Sequence, residues 1–203
     1  MPIENDDQLN EAVNECGGMV QEISDYLAAH PEKEWHGRIR FPRGFLKTNA
    51  EIRTRLPFVE DDTLKRNVSY ALMTFQTLYW VVFRTDISGQ AREMLIKEAV
   101  CLLGAVCESI SIFPGTPGLG RGKSFSKRMD RLLDLQVIDK SARKRLQWLW
   151  DKRNQEHLYD VPFREFDHYS NSDWFKAVKA YRALRDALTT WRSPPPAGEP
   201  LAP

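Results

Sequence analysis

The segment Arg153-Asn154-Gln155-Glu156-His157 carries the residue types in this chain that are best suited to chemistry. Arg153 follows Leu146 by seven residues and Leu149 by four, which places it on the apolar face of a predicted helix. If that helix continues for one more turn, His157 follows Arg153 on the same face. A guanidinium suits phosphate oxygens, and an imidazole suits general acid or base catalysis. The alternative is structural, because a basic residue at a helix end is favoured by the helix dipole and can extend to solvent.

Glu98 is a second residue whose position is unusual for its type. The residues three and four positions away on both sides of it are apolar, so we expect Glu98 to be largely buried. A buried carboxylate must be protonated or paired with a cation. Arg153 is the candidate partner. The alternatives are another base, or a position for Glu98 at the edge of the apolar stripe.

The helix order around Arg153 resembles that of the HEPN superfamily. From about Leu64 to Trp191, the chain reads as a helical domain whose penultimate helix ends in Arg-Asn-x-x-His, followed by an extended turn and a final amphipathic helix. The His157-Leu158-Tyr159 run is similar to the His-x-Tyr ending of a toxin branch of that family. The family usually has four to six residues between this Arg and His; three separate Arg153 from His157, and four separate Lys152 from it.

This resemblance implies a metal-independent endoribonuclease or RNA-binding protein of a toxin or phage-defence type. It implies a homodimer, no cofactor, no metal site, and an inhibitor or antitoxin protein as a possible partner. In such an enzyme Arg153 binds phosphate, His157 acts as general acid or base, and Asn154 orients the substrate or His157, with Glu98 and Tyr159 in support. The products would carry 2′,3′-cyclic phosphate ends. The alternative function is a non-catalytic helical interaction module in which Arg153 and Glu98 form a structural pair.

Two further regions have a composition that suits RNA. The segment 35–45 interleaves aromatic residues with Arg38, Arg40 and Arg43, which fits stacking on unpaired bases and contact with phosphates. Residues 121–153 contain eleven bases and four acids, with Lys152 next to the motif, whereas residues 1–30 contain seven acids and no Lys or Arg. A basic face toward phosphates is one explanation. The alternatives are that the acidic helix covers the basic one and that the aromatic residues anchor their loop.

Other candidate sites are weaker. The Gly-rich loop 114–124 ends in Gly-Lys-Ser but has Pro117 where a P-loop needs glycine, so it predicts a flexible basic connection. His168 is expected to be a loop residue, and His30 and His36 lack the spacing of metal ligands. The three cysteines lack a CxxC spacing and are expected to be reduced.

Apolar residues recur at helical spacing in five long stretches, and this pattern predicts an all-α fold. We expect an antiparallel bundle of four to five long helices. Residues 1–58 would form an acidic helix and a connection packed on the bundle, 59–192 the HEPN-like bundle, and 193–203 a disordered Pro-rich tail. No apolar run approaches the roughly 20 residues of a membrane-spanning helix, and the acidic start is unlike a signal peptide. These features predict a cytoplasmic protein without membrane contact.

Overall fold

The computed structural model describes residues 2–33, 36–156 and 166–192, and within these ranges the chain is helical and contains no strand. The prediction of an all-α helical bundle is therefore confirmed. The tail 193–203 lies outside the described residues. Seven α-helices and two short 3₁₀ turns are described: α1 (Asp6–Ala29), a turn at Pro31–Lys33, α2 (Asn49–Arg53), α3 (Asp62–Arg84), α4 (Gly89–Ile110), α5 (Phe125–Asp134), α6 (Lys140–Arg153), a turn at Asn154–Glu156, and α7 (Asn171–Arg192).

The chain divides into two compact units, Met1–Phe45 and Leu46–Pro203. The first holds α1, which is continuous through Gly17 and Gly18. The second holds the other six described helices. Residues 46–58, which the sequence grouped with the acidic helix, belong to this second unit, where Ile52, Leu56 and Phe58 are buried. The expected packing of α1 on the bundle stays a prediction.

Short polar side chains begin several of the helices. The Thr48 hydroxyl accepts from the Glu51 backbone N–H, and the Glu51 carboxylate accepts from the Thr48 N–H, which forms a capping box at α2. These hydrogen bonds lower the pKa of Glu51. Simple side-chain caps begin α3 and α6, where the Asp61 carboxylate accepts from the Leu64 N–H and the Asp139 carboxylate from the Ala142 N–H. The caps set where the two longer helices start, and hence the level at which their side chains meet α4.

Helix α4 lies at the centre of the second unit. It packs against α3, α6 and α7. Because neighbours cover it on several sides, buried residues occur around most of its circumference, and its least buried stripe runs through Met94, Glu98, Leu102, Ala105 and Ser109. Helix α6 is therefore held along α4 by buried leucines such as Leu146 and Leu149.

Helix α7 contributes the aromatic part of the core. Trp174 is buried, and its ring lies 4.7 Å from that of Phe75 and 5.2 Å from that of Phe83, both on α3. Aromatic pairs at such distances stabilise a core beyond the area they bury. Across the described residues, no helix has both the length and the apolar character needed to cross a bilayer.

Candidate functional site: the C-terminal end of α6

The α-helical part of α6 ends at Arg153, and the chain continues as a 3₁₀ turn over Asn154–Glu156. The expected further α-helical turn, which would have placed His157 directly after Arg153 on one face, is therefore not formed. At Asn154 the backbone N–H already bonds to the Trp150 and Lys152 carbonyls. His157 and Tyr159 lie outside the described residues, so their catalytic and supporting roles stay predictions.

Arg153 faces the bundle, as its spacing predicts. Its Nη2 atom lies 3.4 Å from Oε2 of Glu108 on α4, and its guanidinium carbon lies 5.2 Å from the Trp150 ring centre. The side chain is 27% exposed, and its Nε atom is buried with no hydrogen-bond partner among the described residues. Among the described residues, Arg153 is thus held by one ion pair and one aromatic contact, and they leave its Nε donor without an acceptor.

Gly104 on α4 allows this arrangement. A Cβ atom at position 104 would lie 2.6 Å from the Arg153 Cβ, 3.0 Å from its Cγ and 3.4 Å from the Leu149 carbonyl oxygen. The first distance is far shorter than a normal carbon contact. Any side chain at position 104 would therefore force the end of α6 away from α4.

The prediction for Glu98 is wrong on both points, its burial and its pairing with Arg153. Glu98 is exposed, and the carboxylate near Arg153 belongs to Glu108. The apolar neighbours of Glu98 suggested burial because a helix with one buried face was assumed. Since α4 is covered on several sides, its apolar residues surround the helix, and Glu98 lies on the remaining stripe toward solvent.

Lys152, Gln155 and Tyr169 meet beside Arg153. The Lys152 Nζ atom lies 4.6 Å from the centre of the Tyr169 ring, and the Tyr169 hydroxyl donates to Oε1 of Gln155 at 3.2 Å. The Lys152 carbonyl oxygen lies 3.8 Å from the Cys101 Sγ of α4. Asn154 is exposed. The end of α6 therefore supplies an ammonium group and two amide side chains, and buried Tyr169 from the turn before α7 contacts the ammonium group and one of the amides.

The start of α4 reaches the turn that precedes α7. The Asp167 backbone N–H donates to Oε2 of Glu93 at 2.7 Å, and Nη2 of Arg92 donates to Oδ1 of Asn171 at 2.7 Å. His168 in this turn is exposed, as expected for a loop residue. Sequence reasoning missed Arg92 and Glu93. Their partners lie more than seventy residues away along the chain, and no local pattern encodes that contact.

Arg128 was also missed as a structural residue, because the sequence counted it among the bases of a possible RNA-binding face. It is only 2% exposed, and it donates to the Ser111 hydroxyl at 3.1 Å, to the Glu108 carbonyl at 3.1 Å and to the Lys123 carbonyl. Burial lowers its pKa, and the nearby Glu108 carboxylate opposes that shift. Its spacing could have indicated burial, because Arg128 lies three residues after Phe125 and four before Leu132, and both of these are buried on the same helix face.

The Gly-rich loop that Arg128 contacts is anchored, whereas the sequence predicts a flexible one. The Phe113 N–H donates to the Leu119 carbonyl at 2.9 Å, and Leu119 is fully buried. Gly118 has a φ of +88°, which favours glycine, and its position leaves the Arg131 side chain room to donate to the Pro117 carbonyl at 3.2 Å. These contacts fix the loop at the end of α4.

The arginines expected to contact RNA in the first unit, Arg38, Arg40 and Arg43, are all exposed. In the same segment, the Phe41 and Phe45 rings lie edge to face with centroids 6.0 Å apart. Lys152 is half-buried and belongs to the second unit. Contact of any of these residues with RNA stays a prediction.

No group of three or more His, Cys, Asp or Glu side chains in the described part of the chain is placed to hold a metal ion. The three cysteines differ in environment. Cys16 is exposed, whereas Cys101 and Cys107 are buried. Burial raises the pKa of the Cys107 thiol, which makes this cysteine a poor nucleophile.

Comparison with protein-family models, with curated proteins and with solved structures finds no match to this chain. The HEPN resemblance therefore rests on the motif and the helix order alone.

Proposed function

We propose that the chain binds RNA at the C-terminal end of α6 and cleaves it without a metal ion, in the manner of the HEPN ribonucleases that its sequence resembles. The observation that supports this proposal is the group of polar side chains where α6 ends. Lys152 and Gln155 lie against Tyr169, Asn154 is exposed, and Arg153 lies between Lys152 and Asn154 in the chain. These residues lead directly into His157, the imidazole of the motif.

The proposed chemistry requires few groups. The 2′-hydroxyl of RNA attacks the adjacent phosphorus once its proton is removed, the 5′-oxygen leaves with a proton, and a 2′,3′-cyclic phosphate forms. His157 supplies one of these proton transfers. Because each motif has one histidine, the general acid and the general base come from two protomers of a homodimer. Asn154 orients the substrate or His157.

Arg153 can take part in phosphate binding although Glu108 holds it. The Nη2 to Oε2 distance of 3.4 Å is longer than the 2.7–2.9 Å typical of a charge-assisted hydrogen bond, so this ion pair is loose. A phosphate offers several charged oxygens to the same planar group and can compete with one carboxylate oxygen. In this proposal Glu108 keeps the guanidinium positioned until RNA arrives, and Lys152 adds a second positive charge.

Cleavage of mixed RNA in EDTA tests the proposal. The wild-type chain should produce 2′,3′-cyclic phosphate ends, and His157→Ala should lower the rate at least about 100-fold, the usual contribution of general acid–base catalysis. His168→Ala, eleven residues further on, is the matched control and should cleave at the wild-type rate. Equal cleavage by wild type and His157→Ala, or none by either, would contradict the enzymatic proposal.

In the same proposal the protein is of a toxin or phage-defence type, with an inhibitor or antitoxin as a possible partner. Expression of the wild-type chain should then arrest growth, and expression of His157→Ala should not. Unimpaired growth with wild-type chain present at a measurable level would argue against a toxin.

The second candidate is a non-catalytic helical interaction module. It is favoured by the contacts of Arg153, which already pairs with Glu108, lies over Trp150 and packs against Gly104. In this case Arg153→Ala should lower the melting temperature and leave RNA affinity unchanged. Loss of RNA binding or cleavage at an unchanged melting temperature would instead support the RNA site.

A further inference from the structure

The first unit carries a regular apolar stripe along α1. Apolar or small side chains follow one another at alternating steps of four and three residues, which is the a and d pattern of a heptad repeat. We call this set the α1 seam. Its a positions are Val13, Val20 and Leu27, and its d positions are Leu9, Cys16 and Ile23.

Within the first unit, the α1 seam is uncovered over most of its length. Helix α1 contains no buried residue, and Leu9, Val13, Val20 and Ile23 are between 38% and 60% exposed. Within the described part of the first unit, the chain covers the C-terminal end of the seam: a Cβ at Gly37 would lie 2.8 Å from the Leu27 Cδ1. A partner can therefore contact the seam from Leu9 to Ile23.

Most of the charges of α1 lie away from the seam; the exception is Asp6, the first residue of the helix, which falls at the a position before Leu9. Five of its acids, at positions 7, 11, 15, 22 and 25, occupy b, c and f positions on the opposite side of the helix. The e and g positions beside the seam are all uncharged: Asn10, Ala12, Gly17, Met19, Ser24 and Tyr26. In coiled coils, charges at e and g select a partner of opposite charge. Neutral flanks give no such selection, and from Leu9 to Leu27 they bring no like charges together when two copies meet.

We infer that two copies of this chain associate through the α1 seam as a parallel, two-stranded coiled coil. A second copy is the occupant because the seam is self-complementary about a two-fold axis, and every a or d residue meets its own equivalent. Valine at two of the three a positions, with leucine at the first d position, favours two parallel strands. This inference does not depend on the proposed RNA site, which lies in the other unit.

The apolar surface available is enough for a modest dimer. The exposed parts of the seam, with Met19 and Tyr26 beside it, amount to roughly 500 Å² per protomer, so that a dimer would bury about 1,000 Å², near the lower limit for a specific interface. A dissociation constant in the micromolar range is expected.

A charge placed on the seam tests the inference. By light scattering at about 100 µM, the wild-type chain should have twice its monomer mass of 23.5 kDa, and Val13→Glu should be monomeric. Asn14→Glu is the matched control, since it adds the same charge at the neighbouring b position and should leave the dimer intact. Val13 has no core contacts to lose, so circular dichroism should show the same helix content in all three.

A cysteine at the start of the seam tests the parallel orientation. Leu9→Cys on a Cys16→Ser background leaves one exposed thiol, because Cys101 and Cys107 are buried. Mild oxidation should then form a covalent dimer, since a parallel pairing brings the two position-9 residues together. A monomeric wild type, a Val13→Glu variant that remains dimeric, or no covalent dimer at position 9 would each overturn the inference.

Discussion

Replacing Gly104 by alanine should destabilise the protein, although helix propensity alone predicts the opposite. Gly104 lies inside α4, where alanine is favoured over glycine by about 1 kcal/mol. The new Cβ, however, would lie 2.6 Å from the Cβ of Arg153, an atom that can move only if the backbone of α6 moves. Overpacking of this kind costs about 1–3 kcal/mol. The net effect should be a loss of about 1 kcal/mol in the free energy of unfolding, or roughly 2–4 °C in melting temperature.

Urea unfolding followed by circular dichroism measures this loss. Gly18→Ala is the matched control, since that glycine is also inside a helix and a Cβ there meets nothing within 4 Å. It should not lower stability. Arg153→Gly removes the two side-chain atoms that lie nearest to the new Cβ, so combining it with Gly104→Ala should cost less than the two substitutions separately. A Gly104→Ala variant as stable as the wild type, or more so, would refute the close approach of α4 and α6.

Three further predictions concern the buried and paired groups. Arg128→Met deletes a buried guanidinium and leaves its hydrogen-bond acceptors without a partner, so it should lower the free energy of unfolding in urea titrations by about 3 kcal/mol. A loss below about 1 kcal/mol would mean that the Gly-rich loop does not depend on Arg128. Glu98→Gln should leave the free energy of unfolding unchanged. Glu108→Gln should lower it by at most about 1 kcal/mol, since the ion pair between Glu108 and Arg153 is partly exposed. A larger loss for Glu98→Gln than for Glu108→Gln would indicate that Glu98 is the partner of Arg153. Burial raises the pKa of Tyr181 from 10.0 to about 12, so the contribution of its neutral form to stability is complete below pH 10 and is lost as the pH rises through 12. Near-ultraviolet titration should show a late tyrosinate signal that Tyr181→Phe removes.

Much of the fold follows from local sequence. Apolar spacing predicts an acidic helix near the start of the chain and a final amphipathic helix near Trp191, and these are α1 and α7, because helical spacing depends on neighbours along the chain. The exact end of α6 was less predictable. The sequence allowed it to reach His157, whereas the α-helix stops at Arg153 and tightens into a 3₁₀ turn.

The candidate site was predictable only in part. The spacing of Arg153 from Leu146 and Leu149 gives its inward direction, since both leucines are buried. Its partner could not be derived, because the spacing of residues within α6 does not determine which residues of α4 lie opposite Arg153. The close contact at Gly104 places this part of α4 opposite Arg153, so that Glu108, one helical turn further along α4, can pair with the guanidinium. Glu98 was misassigned because α4 is covered on several sides, a property of the tertiary arrangement.

The most direct test of the proposed RNA cleavage is the chemistry of the product ends. A single labelled RNA would be incubated with an excess of the wild-type chain in EDTA, and the fragments analysed for their termini. We predict fragments with 2′,3′-cyclic phosphate and 5′-hydroxyl ends, and none in a parallel incubation with His157→Ala. Intact RNA after incubation with the wild-type chain, or the same fragments from both proteins, would contradict the proposed function.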